Sequence, residues 1–216
     1  VSPIAAMGIV VPVAWGLVQG ERPSSLQYLG IVIGFLGVVL AGGSILAFGT
    51  PEQQRAHLRG ILEADQVWCQ LFSEPGAGSD LAGLQTKAVQ DGDEWIITGQ
   101  KVWTSNGHHS NWGMLIARTD PELPKHQGIT YFVLPMRQAG VDVRPLRQMN
   151  YHSSFNEVFM TDARIPKDWV VGEVNQGWAA ALATLAHERR FGVAVSFARD
   201  TADPGGRRGR PVASRP

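Results

Sequence analysis

Residues 71–80 read LFSEPGAGSD and end an apolar run in a turn that is rich in proline and glycine. This turn leaves backbone N–H groups and two small hydroxyls, those of Ser73 and Ser79, free of bulky neighbours in the sequence. Main-chain donors in such a loop can approach an anionic ligand closely, as they do in phosphate-binding loops. Residues 71–80 therefore predict a cradle for a ligand that carries phosphate.

Residues 101–107 read KVWTSNG and supply the second part of a binding site. They place an aromatic plane, Trp103, two residues before the hydroxyl of Ser105, and Asn106-Gly107 turns the chain directly afterwards. A flat, redox-active ring with a diphosphate tail needs an aromatic surface and an anion cradle together. The Pro/Gly loop alone would be better explained as an ordinary connection between strands, but together with the Trp103 stretch it favours a ligand site.

The two stretches resemble the signatures of the flavin-dependent acyl-CoA dehydrogenases. In that family, a hydrophobic–Thr/Ser–Glu–Pro–Gly–Ala–Gly–Ser–Asp segment precedes a Gly–x–Lys–x–Trp–(x)–Thr/Ser–Asn–Gly segment; here they read Phe72 to Asp80 and Gly99 to Gly107. The resemblance extends from about Ser44 to Phe191 and includes FNEVF at 155–159 and RIP at 164–166. Two long motifs in the expected order are far more specific than a single short glycine motif.

The resemblance implies FAD as the cofactor. The implied flavin-binding residues are Leu71, Phe72, Ser73, Gly78, Ser79, Trp103, Thr104 and Ser105. Trp103 and Ser105 match residues that pack on the isoalloxazine and hydrogen-bond near N5, the atom that accepts a hydride and needs a fixed polar contact. Ser79 matches a residue that also approaches the acyl-CoA substrate.

The reaction implied by the resemblance is α,β-dehydrogenation of an acyl-CoA thioester. A carboxylate takes the α-proton, the β-carbon passes a hydride to FAD, and an electron-transfer flavoprotein accepts the electrons. In most members the base lies in a distal helical domain, which we do not find in this sequence. A minority use the Glu of a Glu–Arg pair on the helix after the barrel, and Glu188-Arg189 occupies that place. Glu188 is thus the predicted base and Arg189 a predicted substrate contact, the alternative being a solvated glutamate on an exposed helix face.

Composition excludes several classes of function. The chain has 216 residues, of which 44% are hydrophobic, and a formal net charge of zero, so it carries no basic footprint for nucleic acid. The single cysteine, Cys69, excludes an internal disulfide framework and is interpreted as a buried packing residue. His108 and His109 are adjacent and lack an acidic or thiol shell, so we predict no metal site and read them, like His152 and His187, as solvated residues.

Residues 1–48 differ from the rest because their only charged side chains are Glu21 and Arg22. The uncharged run 26–48 would reach about 34 Å as a helix, enough to cross a hydrocarbon core of about 30 Å. Residues 1–43 also resemble the last helix pair of EamA-like drug/metabolite transporters. The segment therefore predicts an apolar, transmembrane-like helical hairpin, with a buried hairpin in a soluble protein as the alternative.

The remaining pattern predicts a mainly β fold: an acyl-CoA dehydrogenase-type middle β-barrel flanked by helices. Thr50, Pro51 and Gln53 form a capping-box signature that opens a linking helix within 49–66. Short strands within 67–172 have no helices between them, which favours an antiparallel barrel or sandwich. They are predicted, with a hairpin turn at Asp91-Gly92-Asp93, at 67–72, 86–90, 94–98, 112–118, 129–134, 141–146 and 155–160. An amphipathic helix within 173–192 begins a C-terminal helical domain, and the Arg-, Gly- and Pro-rich residues 193–216 predict a disordered tail.

The resulting expectation is an FAD-dependent acyl-CoA dehydrogenase in a truncated or fused form. The resemblance implies a cytoplasmic dehydrogenase part and homo-oligomers in the complete family fold, whereas the apolar residues 1–48 predict membrane attachment. The alternatives are a non-catalytic, membrane-anchored flavin or acyl-CoA binding module, or a transporter remnant. Two acidic residues of the first signature, Glu74 and Asp80, are interpreted as turn- and cap-stabilising groups.

Overall fold

The computed structural model describes residues 37–149 and 151–202, with side chains from 40 to 189 apart from residue 150. A π-helical turn, Gly37–Gly42, leads into the short helix α1 (Gly43–Phe48). Helix α2 (Pro51–Leu62) precedes the sheet, and helix α3 (Gly177–Ala202) follows it. Between them lie seven strands and several short 3₁₀ turns.

The predicted capping box at the start of α2 is confirmed. The Thr50 hydroxyl accepts a hydrogen bond from Gln53 N at 3.3 Å, and Gln53 Oε1 accepts one from Thr50 N at 3.1 Å. Gln53 Nε2 in turn donates to the carbonyls of Asp168 and Val170, at 2.7 and 2.8 Å. The cap of α2 is therefore also the point at which this helix is fixed to the end of the sheet.

The seven strands follow the predicted order. They are β1 (Trp68–Leu71), β2 (Lys87–Asp91), β3 (Glu94–Ser105), β4 (Trp112–Arg118), β5 (Ile129–Pro135), β6 (Val141–Leu146) and β7 (Phe155–Pro166). Gly92, at φ +61°, sits in the tight β2–β3 turn that Asp91-Gly92-Asp93 predicted. Strands β3 and β7 are longer than expected because they pair with each other along most of their length.

The strands form one curled sheet in the order β1-β4-β2-β3-β7-β6, with β5 paired to β4. The expectation of an antiparallel barrel or sandwich holds for most strand pairs, but β1 runs parallel to β4 from the pair Trp68↔Trp112 to the pair Leu71↔Leu115, and β2 meets β4 in parallel at one pair. A parallel neighbour needs a long connection rather than a hairpin, and residues 72–111 supply it here. As a result, the first signature stretch begins where this connection begins, and the second lies within it.

The apolar residues divide into two clusters, one on each face of β1. Cys69 and Leu71 point into the cluster inside the curled sheet, whereas Trp68 and Phe72 point into the cluster between sheet and helices. The period of two along a strand produces this division. Cys69 is buried as predicted, and burial raises the pKa of its thiol to about 12. Four further tryptophans outside the signature stretches belong to these clusters or pack against them: Trp95, Trp112, Trp169 and Trp178.

The predicted apolar hairpin is not supported where it can be examined. Residues 1–36 lie outside the described residues, but Leu40, Ala41 and Ile45 are buried in the cluster between sheet and helices. This part of the uncharged run therefore contacts the protein's own core. Among the helices within 37–149 and 151–202, none is long and apolar enough to cross a bilayer. The resemblance of residues 1–43 to transporter helices stays a prediction.

Helix α3 begins at Gly177, where a Cβ would overlap the backbone of Thr130 and Tyr131, so the helix starts flush against β5. The amphipathic pattern predicted a helix to about Arg190, and the helix extends to Ala202. The first residues of the predicted tail, 193–202, are thus helical. The rest of that tail, 203–216, is outside the described part of the chain.

Candidate active site

A β-bulge in β3 brings Trp103 to the surface. The pairing of β3 with β7 shifts register between Lys101 and Thr104, and Trp103 adopts a positive φ of 61°. Its side chain is 63% exposed and meets the ring of Phe155 edge-on at 6.1 Å. A large residue at positive φ is strained, and bulges beside sites serve to re-aim side chains. The arrangement presents an aromatic surface to whatever occupies the space above it.

The first signature stretch is fastened directly to this bulged strand. Val102 N donates to Ser73 O at 2.9 Å. Beside that bond, Lys101 Nζ donates to Phe72 O at 2.9 Å and to Glu74 Oε1 at 2.8 Å. The Lys101 side chain is completely buried, which the sequence did not indicate because a lysine is ordinarily exposed. The two signatures, separate in sequence, form one structural unit.

Glu74 is the hub of this unit. Its carboxylate also accepts hydrogen bonds from Gln85 N at 2.6 Å and Thr86 N at 2.9 Å, which confirms the predicted turn-stabilising role. Burial acts to raise the pKa of Glu74, but the charge of Lys101 and the hydrogen bonds outweigh it, and the net pKa is lowered. Burial lowers the pKa of Lys101 to about 8 against the opposing effect of Glu74. Both groups are therefore charged at neutral pH.

The corresponding prediction for Asp80 is wrong. Asp80 precedes the 3₁₀ turn Leu81–Gly83, but its side chain makes no capping bond there. It pairs instead with Lys125 at 2.8 Å, and both side chains are largely exposed. Exposed pairs of this kind contribute little to stability.

Two neighbouring cavities lie on the helix side of β1. The first, which we call the Trp103 cavity, measures about 180 Å³; the second, the Ser79 cavity, measures about 380 Å³. Gln70, Phe72 and Ser73 line both cavities, so the two share a wall. The further residues of the Trp103 cavity are Leu40, Trp68, Cys69, Val102, Trp103, Ser105, Met114 and Glu188. Those of the Ser79 cavity are Gly78, Ser79, Asp80, Leu81, Ala82, His126, Trp178, Leu182, Leu185 and Arg189.

Most of the site residues proposed from sequence line these cavities. Phe72 and Ser73 line both; Trp103, Ser105 and Glu188 line the first; and Gly78, Ser79 and Arg189 line the second. Two proposed residues line neither. Leu71 is completely buried inside the curled sheet, and Thr104 is buried with its hydroxyl lacking a partner in the described chain.

Strand alternation explains both exceptions. Leu71 follows Gln70 and Thr104 follows Trp103, so each side chain points to the opposite face from its cavity-lining neighbour. Gln70 was missed by sequence reasoning although its side chain is half-buried in the wall shared by the two cavities. Counting alternate positions back from Phe72, which is in the signature, could have found it.

A buried polar network positions α3 against these cavities. Thr184 Oγ1 lies 2.7 Å from Ser44 Oγ on α1 and 3.3 Å from the hydroxyl of Tyr131 on β5. Thr184 is fully buried in this network. One turn later Glu188 reaches the Trp103 cavity, and Arg189, rotated by about 100°, reaches the Ser79 cavity. The two cavities therefore receive opposite charges from consecutive residues.

The histidines do not form a metal centre. Within 37–149 and 151–202, no group of three or more His, Cys, Asp or Glu side chains could hold a metal ion. His108 and His109 are exposed as predicted, and His108 Nδ1 lies 2.9 Å from Asn156 Oδ1. The prediction for His187 is wrong: its ring packs over Gly43, and its Nδ1 is buried without a partner in the described chain.

Comparison with known proteins agrees with this geometry. Residues 69–163 match the family model described as "Acyl-CoA dehydrogenase, middle domain". The comparisons support the acyl-CoA dehydrogenase family. The chain is 53% identical over 169 residues to acyl-CoA dehydrogenase FadE34 of Mycobacterium tuberculosis, an alignment covering 78% of this chain. It is 45% identical over 174 residues, or 79% of this chain, to acyl-CoA dehydrogenase IpdE1 of the same organism.

Solved acyl-CoA dehydrogenases share the fold. The crystal structure of the acyl-CoA dehydrogenase from Geobacillus kaustophilus superposes with a TM-score of 0.70 at 32% identity, covering 74% of this chain and 43% of that one. The chain spans 22% of FadE34 and 45% of IpdE1, less than half of each curated relative. The named relatives are acyl-CoA dehydrogenases, which are oxidoreductase enzymes.

Proposed function

We propose that this chain provides the FAD-binding domain of an acyl-CoA dehydrogenase, together with the helix that supplies its catalytic base. One observation carries the proposal: residues of both signature stretches and Glu188 line a single cavity. The family match supports the reaction class. The electron-transfer flavoprotein as acceptor and a homo-oligomeric assembly are carried over from the resemblance and belong to the same proposal.

The residues present suit a flavin. Trp103 offers an exposed aromatic face at a strained backbone position, and Ser105 places a hydroxyl on the same side of β3. In the first signature, a Cβ at Gly76 or Gly78 would meet nothing within 4 Å, so the loop leaves its surroundings open to a bulky anionic group. When bound, FAD supplies the acceptor for the hydride that leaves the β-carbon. The roles proposed for Trp103, Ser105, Ser73, Gly78 and Ser79 are to hold it.

Glu188 is the proposed base. Its carboxylate lines the Trp103 cavity and is exposed, so it can exchange its proton with solvent. The wall of the Trp103 cavity combines the apolar residues Leu40, Phe72 and Met114 with polar residues that include Ser73 and Ser105. A carboxylate in such surroundings can take the proton from the carbon next to a thioester carbonyl once a substrate displaces water.

The Ser79 cavity is the proposed entrance for the CoA part of the substrate. It combines the guanidinium of Arg189 with the hydroxyl of Ser79 and the indole of Trp178. Arginine forms strong charge-assisted bonds with phosphate and carboxylate groups, and an aromatic face suits a ring system. Because Ser73 lines both cavities, a ligand in the Ser79 cavity would lie next to the cavity that Glu188 lines.

The test uses the full chain, loaded with FAD and mixed anaerobically with acyl-CoA thioesters of different chain length. Retained flavin absorbance supports FAD binding, and bleaching on addition of acyl-CoA supports dehydrogenation. Retained flavin that no acyl-CoA bleaches would leave a binding module without catalysis. A preparation that takes up no flavin would overturn the proposal.

A further inference from the structure

We infer that Lys101 and Glu74 form a positioning pair that sets the distance between the flavin-binding loop and the bulge carrying Trp103. The inference rests on the proposed function, because it concerns the same site. Neither residue lines the Trp103 cavity or the Ser79 cavity, so the pair acts on them through its neighbours. The loop that it holds runs from Phe72 to Ser79.

The geometry assigns the pair this role because its bonds end on both sides of the site. Lys101 belongs to the bulged strand, and its Nζ holds the Phe72 carbonyl and the Glu74 carboxylate of the loop. Phe72 and Ser73 line both cavities, and Val102 and Trp103 line the Trp103 cavity. The flanking bond from Val102 N to Ser73 O then fixes the loop and strand in one register.

The same carboxylate of Glu74 also anchors the loop to the segment that leads into β2. Its two carboxylate oxygens accept from the backbone N–H groups of Gln85 and Thr86, just before β2. A second cation, Arg118, also feels the charge of Glu74, which acts to raise the pKa of Arg118 against the effect of burial. Arg118 is committed elsewhere, because its guanidinium donates to the carbonyls of Ala82, Lys125 and Gln127. Arg118 therefore cannot replace Lys101.

A buried ion pair is an inefficient way to stabilise a fold. Removing two charges from water offsets most of their attraction, and apolar replacements are often as stable, so such pairs are better explained by conformational specificity. Here the pair lies under the residues that face the ligand, in a sheet that already has two apolar clusters. Its contribution is expected in the placement of Ser73 against Trp103 more than in the free energy of unfolding.

The experiment compares Lys101→Met and the double variant Lys101→Met/Glu74→Gln with the wild type, each as the full chain. For each protein, the dissociation constant for FAD is titrated by flavin fluorescence, the absorption bands of bound FAD are recorded, and the urea midpoint is measured. Ile97→Ala is the matched control, because Ile97 is fully buried inside the curled sheet and lines neither cavity. It lowers the urea midpoint by a cavity in the core.

A positioning role predicts that changes in FAD affinity among the variants will not follow the changes in their urea midpoints. Both Lys101 variants should bind FAD roughly tenfold to a hundredfold more weakly, as misplaced supporting residues do, and shift its absorption bands. The double variant should do so even though removing both charges returns its urea midpoint toward the wild-type value. Ile97→Ala should lower the midpoint and keep both the affinity and the spectrum.

Two results overturn the inference. In the first, the double variant recovers wild-type FAD affinity together with its midpoint, which would make the pair purely structural. In the second, Lys101→Met binds FAD with unchanged affinity and spectrum. In both cases FAD binding by the wild type leaves the proposed function standing. A wild-type chain that binds no FAD would overturn the proposed function and this inference together.

Discussion

Trp103 and Glu188 line the same cavity, although Trp103 lies on the bulged strand β3 and Glu188 on the helix α3 that follows the sheet. The bulge turns Trp103 outward, and the hydrogen bond of Thr184 to Ser44 fixes α3 one turn before Glu188. Two separate structural devices, the bulge in β3 and the hydrogen bond between Thr184 and Ser44, therefore bring an aromatic side chain and a glutamate to one cavity. Each device can be tested by its own substitution.

The first prediction concerns the aromatic surface. Trp103→Ala is expected to lose bound FAD during purification, because stacking on an aromatic side chain contributes about 1–3 kcal/mol for ring systems of comparable size. The measurement is the ratio of flavin to protein absorbance after gel filtration. His108→Ala is the control, since His108 is exposed and lines neither cavity. Loss of flavin in the control and retention in Trp103→Ala would reverse the site assignment.

The second prediction concerns the proposed base. Glu188→Gln is expected to keep FAD and to slow bleaching by acyl-CoA by about a hundredfold or more, the usual size of a general-base contribution. The measurement is stopped-flow absorbance with the chain extended by the helical domain of a relative that lacks its own glutamate. The control is Glu173→Gln, because Glu173 is exposed and lines neither cavity. Its flavin should be bleached at the wild-type rate. Undiminished bleaching by Glu188→Gln would remove Glu188 from the mechanism.

Local features could be predicted because a motif is short-range information, whereas the environment of its residues is not. The sequence predicted the capping box at Thr50 and the order of the strands, and it assigned Trp103 and Glu188 to one site, where both line one cavity. It did not show that Lys101 is buried, because the partner of Lys101 lies in the preceding stretch and a lone lysine ordinarily indicates solvent. It also assigned Leu71 to the ligand, since a motif does not state on which face of a strand a side chain lies.

The uncharged segment before α1 shows the same limit. A run of apolar residues fits a lipid environment and a protein core equally well, because both exclude water. Leu40 and Ile45 have the residue types of a membrane span and yet are buried in the cluster between sheet and helices, and the turn and the helix that carry them both contact α2 and α3. The decision between the two environments depends on surfaces contributed by distant parts of the chain. Local composition does not contain that information.

The third prediction uses the open space in the first signature. Gly78→Val is expected to weaken binding of FAD or acyl-CoA by filling the Ser79 cavity, and to leave the unfolding free energy within about 0.5 kcal/mol of wild type. Gly76→Val is the matched control, because a side chain there also meets nothing within 4 Å but Gly76 lines neither cavity. Titration calorimetry and urea unfolding measure the two quantities. Equal losses of affinity in both variants would show that the Ser79 cavity does not hold the ligand.

The fourth prediction concerns acid. The pKa of Glu74 is lowered in the folded protein, so its carboxylate binds fewer protons than in the unfolded chain, and its stabilising effect is present above its ordinary value of 4.5. That effect is lost as the pH falls below about 4.5 toward the lowered value. The free energy of unfolding should therefore fall more steeply in wild type than in Glu74→Gln between pH 6 and the acid limit of about pH 3. If the free energy of unfolding depends on pH in the same way in both proteins, the Glu74 carboxylate is not stabilised by its contacts in the folded state.

The hydrogen bond between Ser44 and Thr184 links a residue before the sheet to one after it, with both hydroxyls fully buried. Replacing either residue with an apolar one would leave the hydroxyl of the other buried without this partner, next to the helical turn that carries Glu188. The two positions are therefore expected to covary among natural sequences, polar with polar and apolar with apolar. For the same reason, a chimera that exchanges only one flank of the sheet inherits a mismatch at this point, so domain grafts should move α1 and α3 as a pair.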